Sequence, residues 1–135
     1  MTDKQTLFMY RLTEAEETLA DARNMLVNGV SARSIVNRAY YAMFYSVIAL
    51  LIARNVEHKT SKHSGIISIF DKEIVHTGML GREFSRILHR TFDSRQESDY
   101  KEFVAFTSED AAESVRMADE FLSGIKTLID QDQSE

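Results

Sequence analysis

The chain contains no cysteine, no proline and only five glycines in 135 residues. Without cysteine there is no disulfide framework, thiolate zinc site, iron–sulfur cluster or cysteine nucleophile. With so little proline and glycine, a sandwich or barrel built on many tight turns is excluded as the leading reading. The first ten residues hold no basic region followed by an apolar run, so no signal peptide is read and a cytoplasmic location is expected. What is present is ordinary for a globular chain: 44% hydrophobic and 27% charged residues. A length of 135 residues fits a single domain, 1–135, large enough for a real core.

The net charge is −5, which disfavours a general nucleic-acid binder. The charge is unevenly placed, however. Residues 1–28 carry a net of −2, residues 29–96 a net of +5, and residues 97–135 a net of −8. Either the acidic ends pair with the basic middle inside a bundle, or the middle presents a basic surface that the total conceals.

Apolar periodicity is helical throughout. Phe8, Leu12, Ala15, Leu19, Ala22 and Leu26 form one stripe, and Asn28 with Gly29 ends it. Ala111, Val115, Ala118, Leu122, Ile125 and Ile129 form a second, with Thr107 or Ser108 as its cap. Between them, Ser31 caps a helix whose run from Ala39 to Ala53 holds one polar residue that is not aromatic, Ser46. That run is short for a bilayer. A helix apolar all round is central, with neighbours on every side, one of which could be a second copy of the chain. A polar loop follows over Asn55–Ser64, then a short helix from Gly65 to Val75, a break at His76–Gly81, and a helix from Arg82 to Asp93. The polar stretch Ser94–Tyr100 reads as a turn before the last helix. The expected fold is all-α: an antiparallel up-down bundle of about five helices.

The four histidines, His58, His63, His76 and His89, do not have helical metal-ligand spacing, so no metal and no cofactor are expected. Arg82, Arg86 and Arg90 recur every four residues and line one helix face, with Arg95 just beyond and His89 beside them. Such a stripe suits phosphate oxygens, or else pairs with acids such as Glu113 and Glu120. Tyr40, Tyr41, Phe44 and Tyr45 read as packing residues or as a base-stacking surface.

The Tyr40–Phe44 segment (YYAMF), Lys62-x-x-Gly65 containing His63 and Ser64, the turn His76–Gly78, and Phe92–Tyr100 through Arg95 together resemble the HEPN family. They are most similar to its small stand-alone prokaryotic members. The likeness covers about residues 30–125. It implies an antiparallel helical bundle that homodimerises, often beside a small nucleotidyltransferase as the toxin-like half of a toxin–antitoxin pair. Some members are metal-independent ribonucleases that use an arginine, four to six intervening residues, and a histidine. Here Arg95 has that spacing to Tyr100, so tyrosine stands in the histidine position. Tyrosine titrates near 10 and histidine near 6.5, so tyrosine is a poor general base at neutral pH, though it still donates a hydrogen bond. Arg82 and His89 also have the spacing, but about one chance match is expected in a chain of this composition.

The expected function is therefore a module that binds a nucleotide or RNA phosphate, with Arg95 as phosphate ligand, Tyr100 as the second site residue, Asp99 orienting one of them, and Arg90 and His89 as further ligands. The alternatives are a ribonuclease in which Arg95 and Tyr100 are catalytic, and a non-catalytic protein-interaction module. No membrane partner is expected.

Overall fold

A computed structural model describes residues 2–100 and 106–133, with side chains described for all of these except 97–100. Helix α1 spans Asp3–Val27 and α2 spans Ala32–Ala53. Helix α3 spans His63–Phe70 and continues into a wider, π-helical turn over Asp71–Val75. Helix α4 spans Arg82–Tyr100 and α5 spans Ser108–Gln133. The described residues contain no strand. The fold is the all-α bundle the periodicity calls for.

Helices α1, α2 and α5 begin where their sequence offers a cap. The Thr2 hydroxyl accepts the Gln5 N–H at 3.1 Å, while the Gln5 side chain accepts the Thr2 N–H at 2.9 Å. Ser31 accepts the Ser34 N–H at 3.3 Å. Thr107, rather than Ser108, caps α5: its hydroxyl accepts the Asp110 N–H at 3.0 Å, and Asp110 accepts its N–H at 2.9 Å. The α1–α2 turn uses Gly29 at φ +68, a conformation that a side chain disfavours.

Helix α2 is the axis of the bundle. It packs against α1, α3, α4 and α5. Ala39, Tyr40, Ala42, Met43, Val47, Ala49, Leu50 and Leu51 are all fully buried along it. It has the length and mean hydropathy, 1.5, of a membrane-crossing helix, but 67% of that window is buried inside the bundle. The chain's own helices thus surround α2, and its apolar run gives no separate reason for a second copy. Around it, Phe8, Leu12 and Leu19 of α1 and Phe121, Leu122 and Ile125 of α5 join the same core.

The expected boundaries need correction at two places. Helix α3 starts at His63 rather than Gly65. The segment Ser94–Tyr100 is not a turn but the last part of α4. Polarity alone misleads there. The stretch has neither glycine nor proline, and Arg, Gln and Glu are good helix formers.

The charge asymmetry resolves partly within the fold. Arg54 pairs with Asp132 at 2.6 Å, so one base of the middle segment meets the acidic end. Lys126 pairs with Glu16 at 2.8 Å, and Arg23 pairs with Asp119, which ties the two acidic ends together. Arg82, Arg86 and Arg90 are exposed and make no ion pair among the described residues. Their expected pairing with Glu113 or Glu120 is not formed.

Candidate nucleotide-binding site

The inward face of α4 can be followed residue by residue. Leu88 and Thr91 are buried, Phe92 is half-buried, and Arg95 comes one turn later on the same side. Arg95 therefore turns toward α2 instead of joining the exposed stripe. Its guanidinium lies 5.2 Å from the Tyr40 ring centre and 5.1 Å from that of Tyr41. These are cation–π distances. One of its terminal nitrogens donates to the Tyr41 hydroxyl at 3.1 Å. No carboxylate pairs with Arg95 among the described residues.

Behind this arginine stands a stack of rings. The Tyr40 hydroxyl and His63 Nδ1 share a hydrogen bond of 2.7 Å. The His63 ring lies parallel to Phe44, 3.9 Å centre to centre and tilted by 14°. Burial holds the His63 pKa below the usual histidine value, and the Arg95 charge acts in the same direction. His63 is therefore a neutral ring at pH 7. Burial pushes the Tyr40 phenol up, against the opposing pull of Arg95, so its proton stays on. The stack is thus an uncharged platform under a single positive charge.

Gly65 opens the first turn of α3 to the preceding loop. A Cβ built there would come within 2.5 Å of the Thr60 side chain. Only glycine lets the loop before α3 fold so closely over the start of that helix. The Lys-x-x-Gly spacing of residues 62–65 thereby acquires a structural meaning: the glycine leaves room for Thr60 against the first turn of α3.

A cleft of about 270 Å³ opens in front of Arg95. Arg33, Ser34 and Asn37 from the start of α2 line one side, and Tyr41, Arg95 and Phe106 line the rest. Arg33, Asn37 and Tyr41 are spaced by four, so they share one face of α2. The cleft combines two guanidinium groups, two hydroxyls, an amide and aromatic rings. Those donors match the oxygens of a phosphate, and the rings match a base or a sugar.

The expected site residues divide as follows. Arg95 lies in the cleft. Asp99 and Tyr100 lie on the backbone of α4, and their side chains fall outside the described residues. Arg90 lines an adjoining groove with Ser94, Phe106 and the acids Asp110 and Glu113, not the Arg95 cleft. His89 is turned away from Arg95, with its Nε2 2.6 Å from an Asp71 carboxylate oxygen. Sequence reasoning missed Arg33, Asn37 and Phe106, and it did not place Tyr41 and His63 beside Arg95. The four-residue spacing of Arg33, Asn37 and Tyr41 in an otherwise apolar helix was the available signal for the first of these. The position of His63 depends on how the loop folds back, and no local spacing carries it. No group of three or more histidine, aspartate or glutamate side chains that could hold a metal ion occurs among the described residues.

The family model of the HEPN domain matches residues 8–128. The chain belongs to the HEPN domain family. Among curated proteins, this HEPN chain is 39% identical over 130 residues to a UPF0332 protein of Thermotoga maritima, covering 96% of each chain. It is 32% identical over 119 residues to a Methanocaldococcus jannaschii protein named "Putative toxin MJ0142", covering 88% of this chain and 80% of that one. A second protein of that organism, "Putative toxin MJ0605", is 34% identical over 115 residues, covering 85% and 83%. The helical bundle described above is accordingly a HEPN bundle, with toxin-named proteins among its relatives.

Proposed function

We propose that this HEPN module binds a phosphate of a nucleotide or of an RNA strand in the Arg95 cleft. The observation that carries the reading is the setting of Arg95. It is half-buried, held by the Tyr41 hydroxyl, backed by two rings, and without a carboxylate among the described residues. An arginine held in this way has lost part of its hydration and most of its freedom before a ligand arrives, so it gives up less on binding. Arg33 adds a second guanidinium on the facing helix. Asp99 and Tyr100, on the last turn of the same helix, are the further ligands of this reading.

The module acts in the cytoplasm as the toxin-like half of a pair, with a nucleotidyltransferase as its protein partner, and it works as a homodimer. A two-fold arrangement would bring two Arg95 clefts into one assembly and raise the local positive potential despite the acidic total. The toxin-named relatives favour the toxin-like role. Binding is favoured over cleavage because tyrosine, not histidine, stands five residues after Arg95.

The test is end-labelled single-stranded RNA in EDTA, incubated with the protein and with Arg95→Ala, and read for both retention and cleavage. Intact RNA retained by the wild type, and at least tenfold less by the variant, is the expected result. RNA cut only by the wild type would make the protein a metal-independent ribonuclease. Equal retention by both proteins would refute the Arg95 site.

A further inference from the structure

A second groove borders the ring stack at Phe44. It has a volume of about 380 Å³, within the range of small-ligand sites. Its rim comes from the cations Arg11 of α1 and Lys59 of the loop before α3, with the His58 imidazole beside them. Thr60 and Ser61 add two hydroxyls, and no carboxylate lines it among the described residues. In a chain of net charge −5, a groove bordered by two cations and no described acid is a marked local exception.

The donors at this rim are incompletely used. The Thr60 hydroxyl accepts the Lys62 N–H at 3.1 Å, which leaves its own proton to donate elsewhere. His58 donates its Nδ1–H to the Val56 carbonyl at 3.3 Å. Arg11 gives one terminal nitrogen to Glu14 at 3.0 Å, while its buried Nε has no hydrogen-bond partner. Glu14 is the one carboxylate that competes here. Below the rim the floor is apolar, made by Phe44, Ile48 and Ile66. Phe44 is also the residue stacked on His63, so the groove borders the same aromatic cluster as Arg95 while sharing no lining residue with the Arg95 cleft.

We propose that this groove is a second anion site, separate from the Arg95 cleft, that takes a phosphate monoester. The phosphate engages Lys59, Arg11 and the Thr60 and Ser61 hydroxyls, and the carbon part of the ligand rests on Ile48 and Ile66. Lysine, arginine and hydroxyl donors lining one groove favour tetrahedral oxyanions, and the floor favours an ester over the bare ion.

The test uses the full chain carrying Arg95→Ala, so that the first cleft is disabled. Adenosine monophosphate, inorganic phosphate and adenosine are titrated separately while backbone amides and the Arg11 Nε–H are followed by NMR. The expected result is a saturable shift at Lys59, Thr60, Ser61 and Arg11 with adenosine monophosphate. Inorganic phosphate should shift the same signals at higher concentration, and adenosine should shift none. Adding Lys59→Ala, an exposed position that does not threaten folding, should weaken the binding about threefold or more. No saturable shift, an unchanged affinity in the Lys59→Ala variant, or an equal response to adenosine would each overturn the second site. Failure here leaves the Arg95 cleft untouched, because that cleft is read from the difference between the wild type and Arg95→Ala in the RNA experiment.

Discussion

Helix α4 carries four arginines in two settings. Arg82, Arg86 and Arg90 are exposed and make no ion pair among the described residues. Arg95 is turned by about one residue around the same helix, half-buried, and held against Tyr41 and Tyr40. The residue type is the same and the helix is the same, yet the surroundings differ in dielectric, mobility and hydrogen bonding. Charge at the exposed positions is screened by water and salt. Charge at Arg95 is fixed beside an uncharged ring stack that shields it poorly. A stripe of arginines in a sequence therefore says less about binding than the one arginine that falls out of the stripe and onto the apolar face.

Changes on the two faces of α4 should separate sharply. Leu88 is fully buried on the inward face, and Leu88→Ala should destabilise the fold by about 2–5 kcal/mol in chemical denaturation. A loss below about 1 kcal/mol would mean that α4 is not packed as described.

Tyr41→Phe keeps the ring but removes the hydroxyl that anchors Arg95. Nucleotide affinity should fall by about 1 kcal/mol, roughly fivefold, with little change in stability. An unchanged affinity would show that the guanidinium is positioned by the rings alone.

The ring stack should also leave a mark on the pH dependence of stability. The His63 pKa is lowered in the folded chain, so over the window from the unfolded value near 6.5 down to the folded value the unfolded chain binds more protons. Stability from His63 is thus fully present above about pH 6.5 and declines as the pH falls through that window. His63→Gln, which can still hydrogen-bond to Tyr40, should flatten the slope of stability just below about pH 6.5. A slope unchanged by the substitution would place the titration elsewhere.

The smallest effect is expected on the exposed face. Arg86→Ala should change stability by less than about 0.5 kcal/mol, and nucleotide affinity by less than about twofold at physiological salt. A tenfold loss of affinity would turn the exposed stripe into part of the site and remove the contrast with Arg95.

The bundle was legible because long amphipathic stripes fix helices strongly. The stripes of α1 and α5, the caps Ser31 and Thr107, and the all-round apolar α2 each appear where the spacing puts them. The end of α4 was not legible, because a polar helix end and a polar turn share a composition. Arg95 itself was readable from the HEPN resemblance, but its register with Leu88 and Thr91 was not, because a helix taken to end at Asp93 does not carry it. Its partners were harder. Tyr41 looks like any core tyrosine in sequence, and His63 reaches Tyr40 across 23 residues through the fold of the loop before α3. Arg33 and Asn37 lie more than fifty residues from Arg95, and only the packing of α4 on α2 joins them.

The most direct measurement is a calorimetric titration of a short single-stranded RNA with hydroxyl ends, which offers the second groove no phosphate monoester, into the wild type, Arg95→Ala and Arg95→Lys. If Arg95 is the phosphate ligand, the alanine variant should bind at the cleft at least tenfold more weakly. Lysine should recover only part of the loss, because it restores the charge without the planar fork. Three equal affinities would contradict the account.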